Sequence, residues 1–129
     1  MSIHLAWYTS DETAFYIRYA VGWTWAQHHQ VVDTILQMTQ AKGLNFSLCL
    51  FDLRGTTIPF DSPTGGHYRD PRHESFVIIV MDHVFSRTIV QLLIRARGHQ
   101  HLVQIVNTLE EGEALLNQKI AQRYHMHKR

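Results

Sequence analysis

Residues 50–66 read LFDLRGTTIPFDSPTGG. An apolar run ends on Asp52, and Asp61 and Ser62 open a small-residue loop that closes on Gly65 and Gly66. A carboxylate at a strand end can accept a phosphoryl group, a hydroxyl at Ser62 or Thr64 can do the same, and a glycine-rich turn can cradle a phosphate. The cradle lacks the GxxxxGK[ST] spacing, and its nearby cations are Arg54 and Arg69. A receiver-type phosphoaspartate needs a β-α start. Residues 10–13 leave no room for that helix beside Asp11 and Glu12, and the last apolar run ends in Asn107 with no lysine. Asp52 is therefore expected to hydrogen-bond within the loop that follows it.

Other reactive residue types assemble less well. Ser62, His67 and Asp70 fall within one loop with no scaffold signal for a triad. The ten histidines include the pairs His28–His29, His99–His101 and His125–His127, but no HExxH, HxxxH or cysteine partner accompanies them. Glu110, Glu111 and Glu113 suit the positive end of a helix dipole. The single cysteine, Cys49, lies in an apolar run and reads as a small buried hydrophobe. No catalytic residue, metal or cofactor is expected.

The elements that hold these residues follow from periodicity. Ile3, Leu5 and Trp7 share one face of a strand, and Phe15, Ile17, Tyr19 and Val21 share one face of a second. The short link SDET predicts an antiparallel hairpin. A helix follows with Thr24 and Gln27 spaced as a capping box and Gly43 at its end. The runs 46–53, 76–81 and 101–107 are apolar on both faces and predict buried strands. Residues 54–75 hold all three prolines and read as loop. Helices are predicted over 86–97, capped by Ser86 or Asp82, and over 108–124, capped by Thr108 with Glu111. The order is β-β-α-β-β-α-β-α, an α/β domain with a mixed sheet and an N-terminal hairpin. The strands at 46–53 and 76–81 are expected adjacent and central. Residues 1–129 make one domain, with 121–129 expected to fray.

Composition narrows the class of partner. The chain is 45% hydrophobic and 18% charged with a net charge of +1, a globular composition too balanced to point to nucleic acid or a membrane surface. One cysteine excludes an internal disulfide. There is no signal-peptide pattern at the start and no apolar run of membrane-spanning length, so a cytoplasmic location is expected.

This order of elements, with FDLRG at the third strand and FDSPTGG in the loop beyond it, resembles the STAS domain of anti-sigma-factor antagonists. WTWAQ at the first helix and NTLEEGEALL at the last extend a resemblance to small bacterial proteins of STAS-like fold over nearly the whole chain. The resemblance implies a non-catalytic, regulatory protein-interaction module with a protein partner. It makes Thr64 the phosphate acceptor by position, with Ser62 the nearby alternative, and Asp52, Asp61, Gly65 and Gly66 parts of a switch loop. Phosphorylation there would add about −1.5 to −2 charges to the partner surface. The chain departs from the family pattern in Pro63, in a loop that begins one residue late, and in the polar GHYRDPRHE where the family starts an apolar helix.

The helix at 86–97 bears on partners too. Phe85, Ile89, Leu92, Leu93 and Ala96 form its expected core face, with Val90 and Ile94 off that stripe beside Arg87. Val90 and Ile94 either widen the core stripe or, with Arg87 at the rim, pair two copies in a homodimer. A small-ligand-binding or enzymatic domain using loop 54–75 is the alternative function, since such sheets bind ligands at the carboxyl ends of their strands.

Overall fold

A computed structural model describes residues 2–59, 74–96 and 102–127. Strand β1 (Ile3–Trp7) and strand β2 (Phe15–Tyr19) precede helix α1 (Trp25–Ala41) and strand β3 (Phe46–Asp52). Strand β4 (Glu74–Val80), helix α2 (Val84–Ala96), strand β5 (Val103–Val106) and helix α3 (Leu109–His127) complete the chain. The five strands form one sheet in sequence order, antiparallel at β1–β2 and parallel from β2 to β5. This is the α/β architecture with a mixed sheet that the apolar periodicity predicts, and β3 and β4 are neighbours inside it. No helix among the described residues is long and apolar enough to cross a membrane. Asp61, Ser62, Thr64, Gly65 and Gly66, like His99 and His101, lie outside the described residues.

Strand β3 explains the layering. All seven of its residues are buried, and alternate side chains serve two cores. Cys49 and Phe51 join Ile17, Tyr19, Ile35 of α1 and Val90 of α2 on one side. Leu48 and Leu50 join Ile78, Val80 and Leu116 of α3 on the other. Helices α1 and α2 thus cover one face and α3 covers the second. Gly112 lets α3 sit close: a Cβ there would lie 2.9 Å from both Leu50 Cδ1 and Val80 Cγ2. Further along α3, Lys119 and Arg123 lie over the rings of Phe76 and Phe46, which lets charged side chains cover the edge of the core with their apolar stems.

Helix ends follow local chemistry. Thr24 caps α1 in a complete capping box with Gln27, and Gly43 takes φ +72 just past its end, a conformation other residues resist. At α3, Thr108 Oγ1 accepts from the Glu111 amide, but the Glu111 carboxylate accepts from the Thr108 hydroxyl instead of completing the box at the backbone. Helix α3 is helical to His127, across the stretch from 121 where fraying is expected. Helix α2 starts two residues early. Its cap is neither Ser86 nor Asp82: His83 Nδ1 accepts the Ser86 amide at 3.1 Å, and Ser86 is buried inside the first turn.

That early start goes with a rotation of α2 that differs from the expected one at Phe85, Val90 and Leu92. Val90 is buried in the core and Ile94 packs against it. Phe85 and Leu92 are 63% and 61% exposed, as is Val84 at 78%. Of their two expected roles, Val90 and Ile94 take that of a wider core stripe; Arg87 is half-buried. The helix is apolar around most of its circumference, so periodicity does not choose the face. The hydroxyl of Ser86 does, by accepting the Ile58 amide at 3.4 Å from the loop after β3. Val21, expected in line with Tyr19, lies beyond the end of β2 and is 80% exposed.

Candidate functional site

The carboxyl ends of β2 to β5 lie along one edge, and Asp52 ends β3 there. Its side chain is fully buried although it carries a charge, so every oxygen lone pair needs a donor. Register supplies the first ones. Arg18 on β2 is directly opposite Asp52, and Tyr16, two residues earlier, shares its face of the sheet. Tyr16 donates its hydroxyl proton to Asp52 Oδ2 in a short contact. Arg54 wraps back: its amide and Nε reach Oδ1 at 3.2 and 2.8 Å, and Nη2 reaches Oδ2 at 2.8 Å. Arg18 Nη1 stands 3.0 Å from Oδ1.

Burial pushes the Asp52 carboxyl up, but the Arg54 and Tyr16 hydrogen bonds and the Arg18 charge outweigh it, and the group is held below the ordinary carboxylate range. The same contact, added to burial, pushes the Tyr16 phenol up. Asp52 raises Arg54 further into its charged form. A carboxylate so occupied is a poor base and a poor nucleophile. Its observed work is to bind β2, β3 and the outgoing loop at one point, which is the role its position predicts.

The loop after Asp52 continues this stitching. The Leu53 amide donates to the Val80 carbonyl, and Thr56 turns back on the Leu53 carbonyl through both its amide and its hydroxyl. Gly55 donates to Asp82. Residues 53–58 are thus fastened to the end of β4 and the first turn of α2, and they deliver the chain toward the expected switch segment.

On the opposite face an aromatic group fills the space above β2 and β3. Tyr19, almost fully buried, places its hydroxyl 2.6 Å from His28 Nδ1. Burial pushes the Tyr19 phenol far up, so it keeps its proton beside the imidazole. Trp23, Trp25 and Phe51 set their rings within 6.2 Å of the imidazole. Tyr19 faces this core and Tyr16 the other side, as alternation requires. His28 and His29 lie side by side, and among the described residues no three His, Cys, Asp or Glu side chains converge in a metal-binding group.

Arg18 is the residue that sequence reasoning misses. Tyr16 and Arg18 alternate with Phe15 and Ile17, which places them opposite the first core, but only the non-local β2–β3 register shows that they meet Asp52. No protein-family model, curated protein or solved structure matches the chain.

Proposed function

We propose that the chain is a non-catalytic protein-interaction module of STAS-like fold, regulatory in role, that meets a partner protein through the outer face of α2. The observation that carries this is the exposure of Phe85 and Leu92 on the side of α2 turned away from Val90. At 100° per residue these two and Val84 fall on one arc with Thr88, Gln91 and Arg95, which are exposed as well. Large apolar side chains rimmed by polar ones and an arginine match the composition of interaction surfaces. The saturated Asp52 supports a structural rather than a catalytic role for the strand end. In this reading Thr64, with Ser62 beside it, is the hydroxyl that accepts phosphate to regulate the contact.

The test is affinity capture from the native cells with the wild type and with a Phe85→Asp, Leu92→Asp double variant. Both substitutions lie on solvated surface, so the variant should melt like the wild type. Loss of the same partner protein from the variant is expected. A partner retained by a folded double variant would remove α2 from the contact.

A further inference from the structure

We infer that Arg18 and Arg54 together form a binding site for a phosphate-class oxyanion at the carboxyl end of the sheet. The inference stands apart from the α2 surface and uses different residues.

Charge is the first ground. Two guanidiniums share one carboxylate, and Tyr16 enters as a neutral donor, so the cluster carries a formal charge of +1 at the sheet edge. The donor count is the second. A carboxylate offers about four lone-pair sites. Arg54 fills three with its amide, Nε and Nη2, and Tyr16 fills the fourth. Arg18 comes last: its Nη1 is buried and near Oδ1 but makes no aligned hydrogen bond. That atom is enclosed against Oδ1 and out of a ligand's reach, so what an oxyanion would meet is the exposed remainder of each guanidinium.

The third ground is access and preorganisation. The Arg18 and Arg54 side chains are 41% and 38% exposed, so each is anchored at one edge and open to water at another. Anchoring removes rotamer freedom before a ligand arrives, which lowers the cost of binding. The β1–β2 register puts the exposed His4 opposite Arg18, adding a ring nitrogen on the same face. Asp82, the acid that contacts the outgoing loop, engages the Gly55 amide. Donors from two forks and an imidazole, approaching from two strands and the loop after β3, suit a tetrahedral oxyanion better than a planar carboxylate.

The experiment titrates the intact chain with inorganic phosphate at constant ionic strength, against chloride and acetate, by thermal melting and by NMR of the arginine Nε–H groups. Phosphate at tenfold its Kd should raise the melting temperature by about 4–7 °C and move the Arg18 and Arg54 Nε–H signals, while acetate and chloride do neither. Arg18→Gln leaves all four hydrogen bonds on Asp52 in place and should weaken phosphate binding roughly tenfold or more. The NMR signals of the wild type locate the site even if that variant folds poorly. A phosphate response no larger than that of chloride would overturn the inference. So would an equal response to acetate, unmoved arginine signals, or undiminished affinity in a folded Arg18→Gln variant.

Discussion

Replacing Asp52 by asparagine keeps size and shape and removes one charge. The amide retains a single acceptor oxygen and turns an NH2 toward donors. If the oxygen stays on the side of the Arg54 amide and Nε, the NH2 faces the Tyr16 hydroxyl, which can rotate to accept, and Arg54 Nη2, which cannot. At least one charge-assisted hydrogen bond is lost outright and the rest lose the carboxylate's charge, each change costing about 1–2 kcal/mol. A fully enclosed pair would lose about 3–5 kcal/mol. Here the two guanidiniums that cover the carboxylate are themselves about two-fifths exposed, and water takes over part of their solvation. The expected cost is about 2–3 kcal/mol, or a melting temperature lower by roughly 6–15 °C for a domain of this size. The sign with pH is fixed. The folded carboxyl titrates below its unfolded value, so its stabilisation is complete above the unfolded pKa of about 3.9 and is lost as pH falls through the depressed folded value. Calorimetry of wild type and D52N from neutral pH downward should show the gap closing at the acid end. A gap below about 2 °C at neutral pH, or one that does not change with pH, would refute the clamp.

Three further outcomes are expected. Gly112→Ala should lower the melting temperature, although alanine gains about 1 kcal/mol of helix propensity, because Leu50 and Val80 are both fully buried and cannot yield to a Cβ at 2.9 Å; overpacking costs about 1–3 kcal/mol. Val90→Asp should abolish cooperative unfolding in a circular dichroism melt by placing a charge in the core, whereas Phe85→Asp should shift the midpoint by no more than about 0.5 kcal/mol. Cys49, whose fully buried thiol is pushed up to about 12 by its surroundings, should resist an aromatic disulfide reagent at pH 8 in the native protein and react as one thiol per chain in denaturant.

Much of the frame was legible because it is local. The Thr24–Gln27 box, the glycine at 43 and the alternation of Phe15, Ile17 and Tyr19 each depend on residues within a turn or a strand, and each is where the pattern puts it. The double-sided apolarity of residues 46–52 likewise announces a strand covered on both faces. The rotation of α2 was not legible, because Val84, Phe85, Ile89, Val90, Leu92 and Ile94 spread apolar surface around the helix and a buried serine settles the choice. Its cap was missed because His83 uses an imidazole nitrogen where oxygen-bearing side chains are the usual signal. Asp52 stood out by its position after an apolar run, whereas Arg18 is 34 residues away and joins it only through parallel pairing.

The spatial order of the strands also has a kinetic side. Each strand lies beside its predecessor in the chain, so a polypeptide emerging from its amino end can add strands one at a time without displacing earlier ones, and the first pairing closes only a short loop. Covering the sheet is less even. The α1 and α2 face closes as those helices emerge, but Leu48, Leu50, Ile78 and Val80 stay uncovered until α3 docks. A nascent chain stopped near residue 108 would carry a finished apolar plane with nothing over it. That species, rather than the unfolded chain, is the one for which chaperones and aggregation would compete.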